Sequence, residues 1–450
     1  MREELKALYG DERLPRYTSY PASPHFTEAV DAATYAGWLR ALPADATASL
    51  YLHVPFCRSM CWYCGCHTHI TRHAAPIAGY LATLRREVDL VTGHLHHRPL
   101  VRHVHFGGGT PTLIAPDAFR ALVAFLRDRF PFAADAEIAV EIDPRTLAPA
   151  MTRALGAAGV TRASLGVQSF DPVVQEAIGR RQDFSVTEAA VTGLRAAGIR
   201  GINLDLIYGL PHQSVESCIE TVRQCLALRP DRLAVFGYAH VPGFKKHQRR
   251  IDEAMLPNGA ARRAQADAIA ETLTRAGYRR IGLDHYARPD DPLTIACVEG
   301  ELHRNFQGYT TDASDALIGF GASAIGRLPQ GHVQNDTVLR SYAERIDRGD
   351  FASLKGYALT WDDRLRATLI ERIMCDFAVD VGQVCRSHGQ DPDVLLASLP
   401  RLRILADHGV VRLDGHTLSI PEDAKPFVRN VAALFDAHLG TSAALHSRAA

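Results

Sequence analysis

From Ser49 to Tyr286, short β-branched or apolar runs alternate with longer stretches of helical period. The pattern predicts strands at Ser49–Pro55, Val101–Phe106, Glu137–Ile142, Arg162–Val167, Gly201–Ile207, Arg232–Tyr238 and Arg279–Gly282. It predicts helices at Pro76–Thr92, Pro116–Arg129, Ala148–Ala158, Val186–Ala197, Val215–Ala227 and Ala260–Ala276. Strict alternation of this kind requires parallel strands with right-handed crossovers, so the fold class is α/β, either a barrel or an open sheet. In both, chemistry gathers at the strand C-termini. The polar motifs fall there. The first strand runs into a cysteine cluster, the second into Gly107–Pro111 (GGGTP), the third into Glu141 and Asp143, the fourth into Gln168 and the fifth into Asp205. Strand ends chosen for packing alone would scatter their polar residues over both rims.

The flanks read differently. Residues 1–47 contain RYTSYPASPHF, rich in Pro, Ser and aromatics and without periodicity, which predicts an extended N-terminal arm. Residues 48–350 read as one α/β domain with a barrel extension. Beyond Asp350 the pattern becomes mainly helical, with a strand pair at Gly409–Leu413 and Thr417–Ile420 around an Asp-Gly turn and a last helix at Val428–Leu439. Residues 351–450 therefore read as a separate, mainly helical domain, with the tail SAALHSRAA frayed.

Composition narrows the function. Fifty Lys and Arg balance fifty Asp and Glu, so no excess positive field holds a polyanion, and no nucleic-acid partner is expected. No apolar run approaches the roughly 18 residues that span a bilayer. The opening MREELKALYGDERLPRY lacks the basic, apolar, small-residue order of a secretory signal, which points to the cytoplasm. Nine cysteines are too few for a disulfide scaffold, but four of them, Cys57, Cys61, Cys64 and Cys66, lie within ten positions.

Cys57, Cys61 and Cys64 follow the spacing C-x3-C-x2-C directly after a strand. Structural zinc closes with four ligands, commonly as two separated CxxC pairs, and the second pair is missing. Three thiolates on a four-iron cube leave one iron open to a substrate or cofactor, which means catalysis rather than electron transfer alone. Cys66 offers a fourth thiol, yet it stands so close to Cys64 that it would have to fold back sharply to reach the remaining corner. A noncoordinating role is expected for it.

CxxxCxxC after one strand and GGGTP after the next resemble the radical S-adenosylmethionine (SAM) superfamily. The blocks RYTSYP (Arg16–Pro21), YLHVPFC (Tyr51–Cys57), CGC (Cys64–Cys66), EIDPR (Glu141–Arg145), GVQSF (Gly166–Phe170), NLDLIYGLP (Asn203–Pro211), YAHVP (Tyr238–Pro242), DHYARPDD (Asp284–Asp291) and HRNFQGYTT (His303–Thr311) resemble, in order, those of the oxygen-independent coproporphyrinogen III dehydrogenases. One departure falls in VPGFKK, where Gly243 replaces an aromatic found in many members. The resemblance implies a partial, open (β/α) barrel with a 4Fe–4S cluster on Cys57, Cys61 and Cys64. It implies one SAM at the cluster, contacted by Tyr51, Gly108, Glu141 and Ile325. A second SAM nearby would be contacted by Tyr63, Gly109, Thr110, Gln168, Arg180, Asp205 and Ala239. It further implies coproporphyrinogen III as substrate, an electron donor for the cluster, an unknown terminal electron acceptor, and a monomer.

Each of these residues also has a plainer reading. The glycines would make a turn, Glu141 would join a salt bridge, Tyr51 would be core, and Arg180 and Asp205 would pair with each other on the surface. For the substrate's propionates, Arg16, Arg288 and Arg304 are candidates, with surface salt bridges as the alternative. His53 and His303 are expected to be structural. Two other functions compete: a haem-binding relative that makes no porphyrin, and an electron-transfer or iron-sensing protein that never cleaves SAM.

Overall fold

The computed structural model describes residues 3–10, 12–440 and 447–448. The alternation appears as read. Strands β1 (Thr47–Val54), β2 (Leu100–Gly108), β3 (Phe132–Ile142), β4 (Arg162–Gln168), β5 (Gly201–Tyr208) and β6 (Arg232–Gly237) pair in sequence, all parallel. Between them run α1 (Ala75–His94), α2 (Pro116–Arg129), α3 (Pro149–Ala157), α4 (Phe184–Ala196) and α5 (Val215–Ala227), and α6 (Gly259–Arg275) follows β6. Local chemistry sets the helix starts. Pro116 and Pro149 occupy the opening turns of α2 and α3, where a missing N–H costs nothing. Ser214 caps α5 through a reciprocal box with Ser217, and Asn258 caps α6 by accepting from the Ala261 N–H.

Burial alternates along β4 and β5, one face fully buried and the other half-open. The buried set, with Leu50, Leu52, Val104, Ile138, Val140, Leu165 and Leu204 among it, forms the packed layer. Register aligns the other set into polar rows: Tyr51 stands beside His105, Glu141 beside Ser164, and Ser164 beside Asn203. α5 buries Cys218, Thr221, Val222 and Cys225 at helical spacing, which places two of the scattered cysteines in the core.

The strands that extend the sheet beyond β1 were not foreseen. Ala316–Phe320 (β7) adds parallel to β1, and Ile325–Leu328 (β8) and Gly331–Asn335 (β9) continue antiparallel. β7 is buried along its whole length, so its residues lack the two-residue period that marks a strand. The result is an α/β fold, a mostly parallel sheet consistent with a partial (β/α) barrel and extended beyond β1 by β7, β8 and β9.

The contacts divide the chain differently from the three consecutive segments 1–47, 48–350 and 351–450. One compact unit holds residues 28–279 and 314–356, and the other holds residues 1–27, 280–313 and 357–450. In the second unit Leu5, Tyr9, Leu14, Tyr17 and Tyr20 share a core with Leu369, Ile373, Phe427 and Phe435. Apolar side chains from the chain's start therefore complete the core of its end. The expected arm is also less extended than its composition suggests. Ala32–Arg40 is a helix capped by Asp31, which accepts from the Thr34 N–H, and its buried residues Tyr35, Ala36 and Leu39 are too few to show a period.

The last helix stops earlier than expected, at Ala432, and continues as a 3-10 turn over Ala433–Phe435. There the Asp436 carboxylate accepts from the His438 N–H, a local bond that competes with helix continuation. The strand pair forms over Arg412–Asp414 and Thr417–Ser419. Of the tail expected to fray, Ser447–Arg448 pairs antiparallel with Arg13–Leu14, and the rest lies outside the described residues. No helix among the described residues is long and apolar enough to cross a membrane.

Candidate active site

The loop leaving β1 carries all four clustered cysteines. Phe56–Cys57 forms a short parallel ladder with His69–Ile70. The loop leaving β2 is stitched to it: the Gly109 N–H donates to the Val54 carbonyl at 2.9 Å, and the Thr110 N–H to the Phe56 carbonyl at 2.7 Å. A side chain at Gly109 would lie 2.6 Å from the Phe56 backbone, and one at Gly108, whose φ is +103°, would lie 2.4 Å from the His53 ring. Both positions require glycine for reasons beyond making a turn.

Each of the three spaced sulfurs accepts a hydrogen bond. Cys57 Sγ receives Thr68 Oγ1 at 3.2 Å and Thr110 Oγ1 at 3.4 Å. Cys61 Sγ receives Arg145 Nη2 at 3.4 Å and Arg180 Nη1 at 3.5 Å. Cys64 Sγ receives the Cys66 N–H at 3.4 Å. Hydrogen bonding from Cys66, with His247 and Lys245 nearby, brings the Cys64 thiol down to about 6 against the effect of burial. Burial pushes the core thiol of Cys218, by contrast, up to about 12. Among the described residues no three His, Cys, Asp or Glu side chains converge on a point as a single ion requires. A four-iron cube takes one thiolate per iron, so its ligands are spaced around it. The residues fit such a cluster: three sulfurs, each with donors that stabilise negative charge.

Behind Cys61 lies a buried ion cluster. The Asp143 carboxylate receives Arg145 at 2.6 Å and Arg180 at 3.4 Å, and Arg180 also donates to the Gly166 carbonyl at 2.7 Å. Burial raises the Asp143 carboxyl, but the Arg145 hydrogen bond and the Arg180 charge outweigh it and hold the group below its usual range. The Arg180 side chain is 6% exposed. Its partners are Asp143, Gly166 and Cys61, so the surface pairing with Asp205 does not form. Asp205 accepts instead from Ser164 Oγ at 2.9 Å and Asn203 Nδ2 at 2.8 Å.

Bare backbone at Gly166 lets Gln168 and Arg180 approach together, since a side chain there would lie 2.9 Å and 3.1 Å from their nitrogens. Gln168 closes β4 with φ +69°. Tyr63 packs with Val174, Ile178, Tyr238 and Ile251, and its carbonyl and that of Ala239 both accept from Gln248 Nε2.

On the other side of the cluster loop Glu141 accepts from the Gly108 N–H at 3.1 Å and meets His105 Nε2 at 3.2 Å. These contacts outweigh burial and keep its carboxyl below the usual value. Tyr51 stacks on His105 at 5.9 Å, and its hydroxyl meets His53 Nδ1 at 2.9 Å. Burial lowers His53 to about 4, so it is neutral at physiological pH. Ile325 opens β8, and its backbone lies against Gly319, the register partner of Tyr51.

The structure thus gathers Cys57, Cys61, Cys64, Tyr51, Gly108, Gly109, Thr110, Glu141, Gln168 and Arg180 around one rim. Sequence reasoning did not single out His105, Arg145, Ser164 or Asn203. Arg145 closes the EIDPR block, and Ser164 and Asn203 sit on the two-residue period leading to Gly166 and Asp205, which is the signal that would have found them.

The arginines considered for propionates lie in the other unit. Arg304 is half-buried, donates to the Arg16 carbonyl at 3.2 Å and lies over the Tyr309 ring at 4.4 Å. Its Nε and Nη1 have no partner. Arg288 pairs with Asp290 as an exposed salt bridge. His303 meets Glu371 at 3.2 Å.

Residues 51–225 match the Radical SAM superfamily family model. The chain is 60% identical over 449 residues to the oxygen-independent coproporphyrinogen III oxidase of Bradyrhizobium diazoefficiens, with 100% of both chains covered. To the Pseudomonas aeruginosa protein of the same name it is 40% identical over 429 residues, covering 94% of this chain and 93% of that one. The solved structure of coproporphyrinogen III oxidase from Escherichia coli, a radical SAM enzyme, superposes with a TM-score of 0.90 at 37% identity, covering 94% of this chain and 98% of that one. A radical SAM family implies a 4Fe–4S cluster and SAM. With a rim of three hydrogen-bonded cysteines and full-length similarity of this order, the chain belongs to the oxygen-independent coproporphyrinogen III oxidase family.

Proposed function

We propose that this chain converts two propionates of coproporphyrinogen III to vinyl groups, giving protoporphyrinogen IX in haem biosynthesis. The observation that carries the reading is the donor set on the three sulfurs, Thr68 and Thr110 on Cys57, Arg145 and Arg180 on Cys61, and the Cys66 N–H on Cys64. Cys57, Cys61 and Cys64 would hold the cluster, and Cys66, whose N–H serves Cys64, would not ligate. When bound, cluster and SAM together supply a carbon-centred radical that takes a hydrogen atom.

At each propionate a β-hydrogen atom, carbon dioxide and one electron leave the carboxylate form, and the double bond remains. No acid or base is required at that carbon, so the chain's task is to position reactants and exclude water. Gly108 and Gly109 offer backbone to a methionyl group without side-chain obstruction. Glu141, ionised and accepting two hydrogen bonds, has capacity for a ribose hydroxyl. Tyr51, with Ile325, lines this first SAM position. A second SAM nearby would meet Tyr63, Gly109, Thr110, Gln168, Arg180, Asp205 and Ala239. Arg180 retains an unpartnered buried Nε there.

The working form we propose is a cytoplasmic monomer, supplied by an electron donor and relieved by a terminal acceptor. Anaerobic reconstitution with coproporphyrinogen III, SAM and a reductant tests the reading. The expected product has lost two carboxyls, with 5'-deoxyadenosine released alongside it. Tight haem binding without turnover would favour the haem-binding relative instead.

A further inference from the structure

Three carbonyls of the cluster loop are taken up by a single short segment. Lys245 Nζ donates to the Cys66 carbonyl at 3.1 Å, His247 Nε2 to the Cys64 carbonyl at 2.7 Å, and Gln248 Nε2 to the Tyr63 carbonyl at 2.9 Å. Next along the chain, the Arg250 guanidinium lies over the Trp62 ring at 5.6 Å. Gln248 is 1% exposed, and its Oε1 accepts from the Val241 N–H at 2.6 Å, which anchors the segment to the exit of β6. A loop without regular structure normally leaves such carbonyls to water. Here they meet side-chain donors, one of them an ammonium, from more than 170 positions away in sequence.

We propose that Lys245, His247 and Gln248 form a clamp that holds the cluster loop in its ligating shape and raises the cluster's reduction potential. The inference rests on Cys57, Cys61 and Cys64 holding the cluster. Hydrogen bonding and nearby positive charge both favour the reduced, more negative cluster. One charge roughly 8 to 12 Å away, with an effective dielectric constant near 20, is worth roughly a ten- to thirtyfold change in the ratio of reduced to oxidised cluster. Lys245 therefore acts through charge, whereas His247 and Gln248 act through position. All three are positioning residues, since none is a ligand.

The test uses the full chain, anaerobically reconstituted with iron and sulfide. Midpoint potential is read by EPR-monitored titration, and the cluster's half-life is read from its absorption in the presence of an iron chelator. Lys245→Met is expected to lower the reduced-to-oxidised ratio at fixed potential by roughly ten- to thirtyfold, with Lys245→Arg restoring it. His247→Ala, at the less buried of the two, is expected to shorten the half-life severalfold at unchanged apo-protein melting, and Gln248→Ala to shorten it with some loss of melting temperature as well. A Lys245→Met, His247→Ala, Gln248→Ala triple variant with wild-type potential and half-life would overturn the clamp alone. A wild-type chain that binds no four-iron cluster would overturn both the clamp and the cluster assignment.

Discussion

Asp143 and Glu87 are both buried carboxyl groups of the same unit, and they are stabilised in opposite ways. Asp143 lies between two guanidiniums that also reach the Cys61 sulfur. Glu87, 3% exposed on α1, meets no cation: its oxygens accept from Tyr342 Oη at 2.7 Å, the Gly321 N–H at 2.7 Å and Asn335 Nδ2 at 2.6 Å. Burial raises Glu87 to about 7 despite these donors, while Asp143 is held below its usual range. Permanent charge is thus concentrated behind the sulfurs, where an anionic cluster benefits from it. The other carboxyl ties the β7–β8 turn to α1 with neutral partners.

The largest expected effect is at the sulfur that faces both guanidiniums. Cys61→Ala should abolish four-iron incorporation and lower turnover by more than about a thousandfold, read from iron content and 5'-deoxyadenosine release. If the variant assembled a normal cluster, the link between the charged region and the sulfurs would break. Asp143→Ala leaves Arg145 and Arg180 facing each other without their anion, and should destabilise the fold by about 3–5 kcal/mol in denaturant titration. A loss below about 1 kcal/mol would mean the two guanidiniums are balanced by something other than Asp143.

Glu87 sharpens the contrast through pH. Its folded pKa is raised from 4.5 to about 7, so between these values the folded chain holds a proton that the unfolded chain has released. Its contribution to stability is therefore full below about 4.5 and falls as pH rises towards 7, by up to about 3 kcal/mol. Unfolding titrations at several pH values should show wild type losing ground against Glu87→Gln across that window. Parallel curves would contradict the reading. The smallest effect lies away from both groups: Ser214→Ala should cost about 1 kcal/mol by removing the α5 cap, without altering iron content.

Much of this was legible because the chemistry is local in sequence. The cysteine spacing, GGGTP and the strand-exit polar residues lie at the ends of elements whose apolar periods are strong, so the β1–β6 alternation and its functional rim follow directly. What escaped depends on contacts distant in the chain. For Arg180 and Asp205 a surface pair stood open beside SAM contact, but Arg180 folds inward onto Asp143, Gly166 and Cys61. Leu5, Tyr9 and Leu14 show no period of their own because they complete a core built by residues beyond 365. Nothing in the sequence singles out Lys245 and His247, and only the fold brings them onto the cysteine loop.

Mössbauer spectroscopy of the anaerobically reconstituted chain, recorded before and after SAM is added, tests the central claim most directly. One iron of a four-iron centre should be distinguishable from the other three and alone change when SAM binds. A centre with four equivalent irons that do not respond to SAM, or no four-iron centre, would contradict that claim.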